Sequence, residues 1–198
     1  MHCLKKGQSI DITFSDSDEI KTSKFLNIES GVLRISLVSK INSEQFPLGF
    51  FGSESLILDK DRLRDCCLRL EALNEVRFKV AYTNDSNIKA ESIFHNQWLL
   101  ILCMIKSSHQ VEIRICRLVA ILVCSFGNRN KENYTLPFEL SHSQIAMLVG
   151  CTRSTVTRQI GLLKAKEMIY LDKSNNRILV SENLINQESA FINQLLLN

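Results

Sequence analysis

The sequence predicts an α+β chain, and three observations carry that reading. The first eighty or so residues hold short runs of alternating apolar and polar positions separated by glycine turns. Nothing between Ile88 and Gly127 breaks a helix, and Glu139 to Val180 holds two capped helical patterns followed at once by a basic hairpin. Strands first, then helices, with each pattern keeping its own period, is the signature of segregated α and β layers.

In "ESGVLRISLVS", Leu33, Ile35 and Leu37 alternate with Arg34 and Ser36 after a turn at Gly31, which predicts a half-buried strand. "FPLGFFGSESL" sets Pro47, Gly49 and Gly52 among aromatics, and "LNEVRFKVAY" predicts a further strand from Leu73 to Tyr82. Short strands at this spacing close into a roll or barrel. The helical section then begins. Its middle, "WLLILCMI", is apolar on every side, so it needs the roll against one face and another body against a second. A twofold partner helix is the economical choice, and burial within one chain is the alternative. "VEIRICRLVAILVCSFG" predicts a second helix after a bend near Ser107–Gln110, with Gly127 as its C′ residue.

Ser141 followed three positions later by Gln144 is a capping box, so a helix starts there and runs through Ile145, Leu148 and Val149 to a turn at Gly150. Thr152 is a second N-cap, and Val156, Ile160 and Leu163 mark the buried side of a helix from about Arg153 to Lys166. Its opposite side carries Arg153, Ser154, Thr157 and Arg158, all donors or small polar groups with no carboxylate. A major groove admits one helix, and guanine offers O6 and N7 to a forked guanidinium. Ile169 and Leu171 then alternate up to a turn at Asn175-Asn176, and the chain returns through Ile178 and Val180. Lys173 and Arg177 stand at that tip, placed as a wing that meets phosphates. The pattern is that of a winged helix-turn-helix.

Charge and composition agree. At 198 residues and 45% hydrophobic content the chain can bury one sizeable core or two small ones. Up to Leu140 the signs nearly cancel, whereas Ser141 to Val180 sets Arg153, Arg158, Lys164, Lys166, Lys173 and Arg177 against only Glu167 and Asp172. The net +3 is concentrated where the polyanion reader is predicted. Seven cysteines at irregular spacing, with no CxxC pair, and four histidines without ligand spacing predict a reducing compartment and no metal site. No secretory signal or membrane span is predicted, since the unbroken apolar run from Trp98 stops at Lys106. Ser141-His142-Ser143 does not make a nucleophile and base, because neighbours on a helix point apart and no orienting acid accompanies them; an enzyme is not predicted.

"LSHSQIAMLVGCTRSTVTRQIGLLKAKEMI", with "RLVAILVCSFG" ahead of it, resembles the Crp/Fnr superfamily of bacterial transcription regulators, and within it the cyanobacterial and plastid global nitrogen regulator branch. The resemblance implies an effector-type, cyclic-nucleotide-binding-like β-roll over residues 1–86, a long dimerisation helix over 87–110 and a winged helix-turn-helix DNA-binding domain over 111–198. It implies a homodimer on palindromic duplex sites with GTA/TAC-like half-sites, nitrogen control, RNA polymerase as a further candidate partner, and bacterial cytoplasm or plastid stroma as the compartment. It puts Arg153 and Arg158 on base- and backbone-contacting positions, with Ser141, Thr152, Ser154, Thr155 and Thr157 around them. Gln159 departs from the apolar residue usual in that helix. In the nitrogen branch arginines hold 2-oxoglutarate; here Cys66 and Trp98 stand in their places, while Phe51 and Gly52 keep the aromatic-glycine part of an effector pocket. Gly52-Ser53-Glu54 also lacks the cyclic-nucleotide pattern. A second reading is a dimeric ligand-sensing or protein-interaction module whose winged helix binds no DNA.

Overall fold

The computed structural model of the chain describes residues 1–12, 23–53, 55–58, 66–83, 93–130, 133–172 and 177–196. The chain divides into two compact units, Met1–Leu99 and Leu100–Asn198.

The described part of the first unit holds β1 (His2–Leu4), β2 (Ser9–Ile12), β3 (Ser23–Ser30), β4 (Leu33–Ser39), β5 (Gln45–Phe51), β6 (Ser55–Leu58), β7 (Cys66–Ala72) and β8 (Val76–Thr83). They form two four-stranded antiparallel sheets, ordered β1-β8-β3-β6 and β2-β7-β4-β5. Pro47, which has no amide hydrogen to donate, sits in β5 at the edge of its sheet, where a missing ladder bond costs least.

The alternating run predicted as half-buried lies on β4 and is buried on both faces. Leu33 and Ile35 fill one; Arg34 and Ser36, 5% and 1% exposed, lie on the other. A buried guanidinium is tolerated because Glu71, its register partner on β7, accepts from both Nε (3.0 Å) and Nη2. Arg34 Nη1 and Ser36 Oγ have no hydrogen-bond partner among the described residues. The strand predicted to begin at Leu73 begins instead at Val76. Leu73 donates its amide to the Val32 carbonyl at 3.0 Å, and the Asn74 side chain accepts the Val32 amide at 2.7 Å, so these residues tie a turn across to β4. On the sheet's exposed side Arg69 makes a two-pronged pair with Asp11 (2.8 Å each), which holds the Asp11 carboxyl below the usual carboxylate range.

Helix α1 (Ile93–Ser107) buries Trp98, Ile101, Leu102 and Ile105 at the 3–4 residue spacing of one helical face. Leu99, Leu100 and Cys103 are exposed. The bend expected near Ser107–Gln110 is present, and α2 (Val111–Phe126) is the centre of the second unit, with eight buried residues from Ile115 to Val123. Gly127 does end α2, but with φ −79° and ψ 160° it is not a left-handed C′ residue. The reason for glycine there is space: a Cβ would lie 2.5 Å from the Val123 carbonyl oxygen.

Around α2 the chain places β9 (Asn128–Asn130), β10 (Asn133–Thr135), α3 (His142–Val149), α4 (Arg153–Ala165), β11 (Ile169–Asp172), β12 (Arg177–Ser181), α5 (Glu182–Gln187) and α6 (Ser189–Leu196). The predicted hairpin has the expected facing pairs, Ile169 with Val180 and Leu171 with Ile178. It is half of a larger sheet, β11-β12-β10-β9, whose other half was not predicted. Nor were α5 and α6. Phe191 and Ile192 of α6 are buried, and Arg117 of α2 lies over the Phe191 ring (4.4 Å to its centroid) while pairing with Glu188.

Candidate nucleic-acid interface

Two helix starts build the site. Ser141 Oγ accepts the Gln144 amide (3.2 Å) and Gln144 Oε1 accepts the Ser141 amide (2.8 Å), the reciprocal box that the sequence predicts. Gly150 closes α3 with φ +68°, ψ 56°, and its amide and that of Cys151 both reach the Ala146 carbonyl. A Cβ at Gly150 would meet nothing closer than 3.8 Å, so glycine is required there by backbone conformation alone. Two residues later Thr152 caps α4 by accepting the Thr155 amide at 3.2 Å.

From α4, Val156, Ile160 and Leu163 are buried and fix the helix's roll about its axis. Arg153, Ser154, Thr157 and Arg158 are thereby exposed. No ion pair involves Arg153 or Arg158 among the described residues. Thr155 is half-buried, and its hydroxyl lies 2.9 Å from that of Thr152, with Ser154 Oγ a further 3.0 Å neighbour of Thr152. These three hydroxyls therefore form a polar rim at the N-terminus of a helix whose dipole favours an anion. Gln159, the departure noted in the sequence, carries a buried side-chain oxygen with no hydrogen-bond partner among the described residues.

Sequence reasoning missed His142. Its Nδ1 lies 2.8 Å from Thr157 Oγ1, and that hydroxyl donates to the Arg153 carbonyl at 3.0 Å. A hydroxyl has one hydrogen, so His142 Nδ1–H must be the donor in this pair. The contact locks the start of α3 to α4; with the two residues fifteen positions apart, no local pattern marks it. Lys164, counted in the basic excess but not among the expected contact residues, lines with Ser141, His142, Ile160 and Tyr170 a groove of about 370 Å³ between α3, α4 and the sheet. Of the wing residues, Arg177 opens β12 opposite Asp172, while Lys173 and the Asn175-Asn176 turn lie outside the described residues.

Residues 113–184 match the family described as the Crp-like helix-turn-helix domain. This part of the chain is a Crp-like helix-turn-helix domain. The chain is also 40% identical over 60 residues to the global nitrogen regulator of Nostoc sp. (strain PCC 7120). The identity is 37%, again over 60 residues, to that of Synechococcus elongatus (strain ATCC 33912). Each alignment takes in 30% of this chain and 27% of the relative, so it spans about a quarter of the length of the curated proteins. A CRP-family transcriptional regulator from Thermus thermophilus superposes with TM-score 0.71 at 14% identity, covering 96% of this chain and 97% of that one. A mutant CooA from Carboxydothermus hydrogenoformans gives TM-score 0.62 at 16% identity, covering 96% and 86%. These likenesses establish the fold: N-terminal antiparallel sheets and C-terminal helices with the Crp-like domain.

The described part of the roll offers no pair of buried arginines to the dicarboxylate that the resemblance implies. Phe51 and Gly52 are buried, Phe51 completely. At the two positions where arginines were expected, Cys66 is half-buried, and the Trp98 ring packs edge-on against Phe50 at 5.2 Å. Trp98 lies so close to the Gly49 backbone that a Cβ there would come within 2.5 Å of it. Arg34, the one buried cation among the described residues, is already neutralised by Glu71. Among the described residues the roll therefore presents no second buried cation to a dicarboxylate. No helix among the described residues is long and apolar enough to cross a membrane.

Proposed function

We propose that this chain is a homodimeric, sequence-specific DNA-binding transcription regulator, without catalytic activity, that acts on palindromic promoter sites in nitrogen control. The observation that carries this reading is the pair of exposed guanidiniums of Arg153 and Arg158 on α4, held outward by the buried Val156, Ile160 and Leu163. Arg153 reads a base edge, and Arg158 reads a base or holds the backbone. The hydroxyls of Ser141, Thr152, Ser154, Thr155 and Thr157 position the helix against phosphate, and Lys173 and Arg177 of the wing add backbone contacts. The apolar exposed side of α1, with Leu100 56% exposed, favours a second copy of the chain as its cover. RNA polymerase is the further partner of a bound dimer, and the compartment is bacterial cytoplasm or plastid stroma.

The test is binding to duplexes selected from a random pool, with and without 2-oxoglutarate and across a salt series. A dimer making about six to ten phosphate contacts loses on the order of 10³-fold or more in affinity between ~50 and ~200 mM salt. Recovered sites should be palindromic, with half-sites about one helical turn apart, and 2-oxoglutarate should leave affinity unchanged. Absence of any salt-dependent duplex binding contradicts the reading. For the dimer, mild oxidation should cross-link two chains through Cys103 on the exposed side of α1, and Cys103→Ser should abolish the product; a monomer at micromolar concentration would exclude it.

A further inference from the structure

Gly161 has no explanation among the described residues. It lies inside α4, exposed, in ordinary helical conformation, and a Cβ added to it would meet nothing within 4 Å. Gly31, Gly49 and Gly127 are each crowded to 2.5 Å or less, and Gly150 has positive φ; those positions need glycine for reasons found in the fold. Gly161 needs it for neither. Apart from proline, glycine is the residue least suited to a helix interior, because it loses the most backbone freedom on ordering. Helix α4 therefore carries a weakness that no packing or turn among the described residues demands.

Its position tells what the missing side chain makes room for. Ser154, Arg158, Gly161 and Ala165 recur at i, i+4, i+7 and i+11, all exposed, on the side of α4 away from the buried Val156, Ile160 and Leu163. The flanking cation is Arg158, and α4 contains no acidic residue, so the complementary surface is anionic. Gly161 stands one turn beyond Arg158, past the base-reading half of the helix, where the wall of a major groove is sugar and phosphate.

We propose that Gly161 is the point at which the sugar-phosphate backbone of the bound duplex lies directly against the main chain of α4, and that its missing side chain sets how deeply the helix enters the groove. This rests on the DNA-binding reading above and adds a residue that acts through shape alone. A protein surface is the competing occupant, and the test separates the two.

The experiment uses the full chain and a duplex of about three helical turns recovered by it from a random pool. Gly161→Ala and Gly161→Leu are both better helix formers than glycine, so the melting temperature should rise by about 2–4 °C in each. Duplex affinity should fall at the same time, about tenfold for Ala and further for Leu, with the salt slope unchanged because no charge is lost. Opposed signs in stability and binding are what a purely structural glycine cannot give. A fall in melting temperature would show that the fold itself requires glycine and overturn the inference. Binding within about twofold of the parent chain for both variants would overturn it too, while leaving the DNA-binding reading intact. A parent chain that retains no duplex would remove the function and this inference together.

Discussion

The guanidinium of Arg114 donates through Nη1 to the main-chain carbonyl of Gly150 at 3.3 Å and to that of Val149 at 3.2 Å, while Nε donates to the Ser108 carbonyl at 2.6 Å. One side chain thus ties the bend between α1 and α2 to the turn between α3 and α4. Charge-assisted bonds to carbonyls at a helix end satisfy groups that the helix leaves open. Arg114→Met, which keeps the aliphatic bulk, should lower stability by about 1.5–3 kcal/mol and raise amide exchange rates around Cys151 to Thr155. A loss under ~0.5 kcal/mol in urea unfolding, inside the range of an ordinary surface change, would remove that role.

Gly150 and Gly127 should respond differently to the same pair of substitutions. At Gly150 the cost is conformational, so Gly150→Ala loses about 1–2 kcal/mol and Gly150→Asn recovers part of it, because Asn tolerates the left-handed region. At Gly127 the obstacle is the Val123 carbonyl, 2.5 Å from an added Cβ, so Asn should be no better than Ala. Matching behaviour at both sites in thermal melts would contradict this division.

Glu167 adopts φ +57° just after α4, and its amide and that of Met168 bond back to the carbonyls of Lys164 and Leu163 at 3.1 and 3.0 Å. This is the Schellman arrangement with glutamate where glycine is favoured. Glu167→Gly should therefore stabilise the chain by about 1 kcal/mol. A destabilised variant would mean the carboxylate has a compensating role.

Truncating Glu71 to Ala strands the buried Arg34 guanidinium, and the expected loss is about 3–5 kcal/mol. Replacing both partners, Arg34→Leu with Glu71→Leu, should recover most of it. Both variants are compared with the parent chain by denaturant unfolding, and equal instability of the two would deny the pairing.

On DNA, Arg153→Ala should relax preference at one half-site position at a cost of ~1–3 kcal/mol, read by repeating the selection with the variant. Lys173→Ala should weaken all duplexes alike and reduce the salt slope. Unchanged selectivity in the first, or sequence-dependent loss in the second, would exchange or remove these roles.

What the sequence made legible is what depends on neighbours a few residues apart. The Ser141–Gln144 box, the positive φ of Gly150, the cap at Thr152 and the facing pairs from Ile169 to Val180 are all set by local hydrogen-bond chemistry or by side-chain period. Features that depend on distant partners were not legible. Arg34 looks like the solvent side of a strand until Glu71, thirty-seven residues on, is placed opposite it. Asn128–Asn130 has no apolar alternation, and it becomes a strand only because β10 offers main-chain partners. His142 is bound to Thr157 across two helices, and Gly127 was assigned a turn conformation when its constraint is the carbonyl beneath it. Gly161 reads as an ordinary helix flaw until the empty space around it is known.

Strand β12 is clamped from both flanks, by β11 on one and β10 on the other. A one-residue slip of β12 would therefore have to break two ladders at once and would turn Val180 out of the core, so this strand is the most strongly specified register in its sheet.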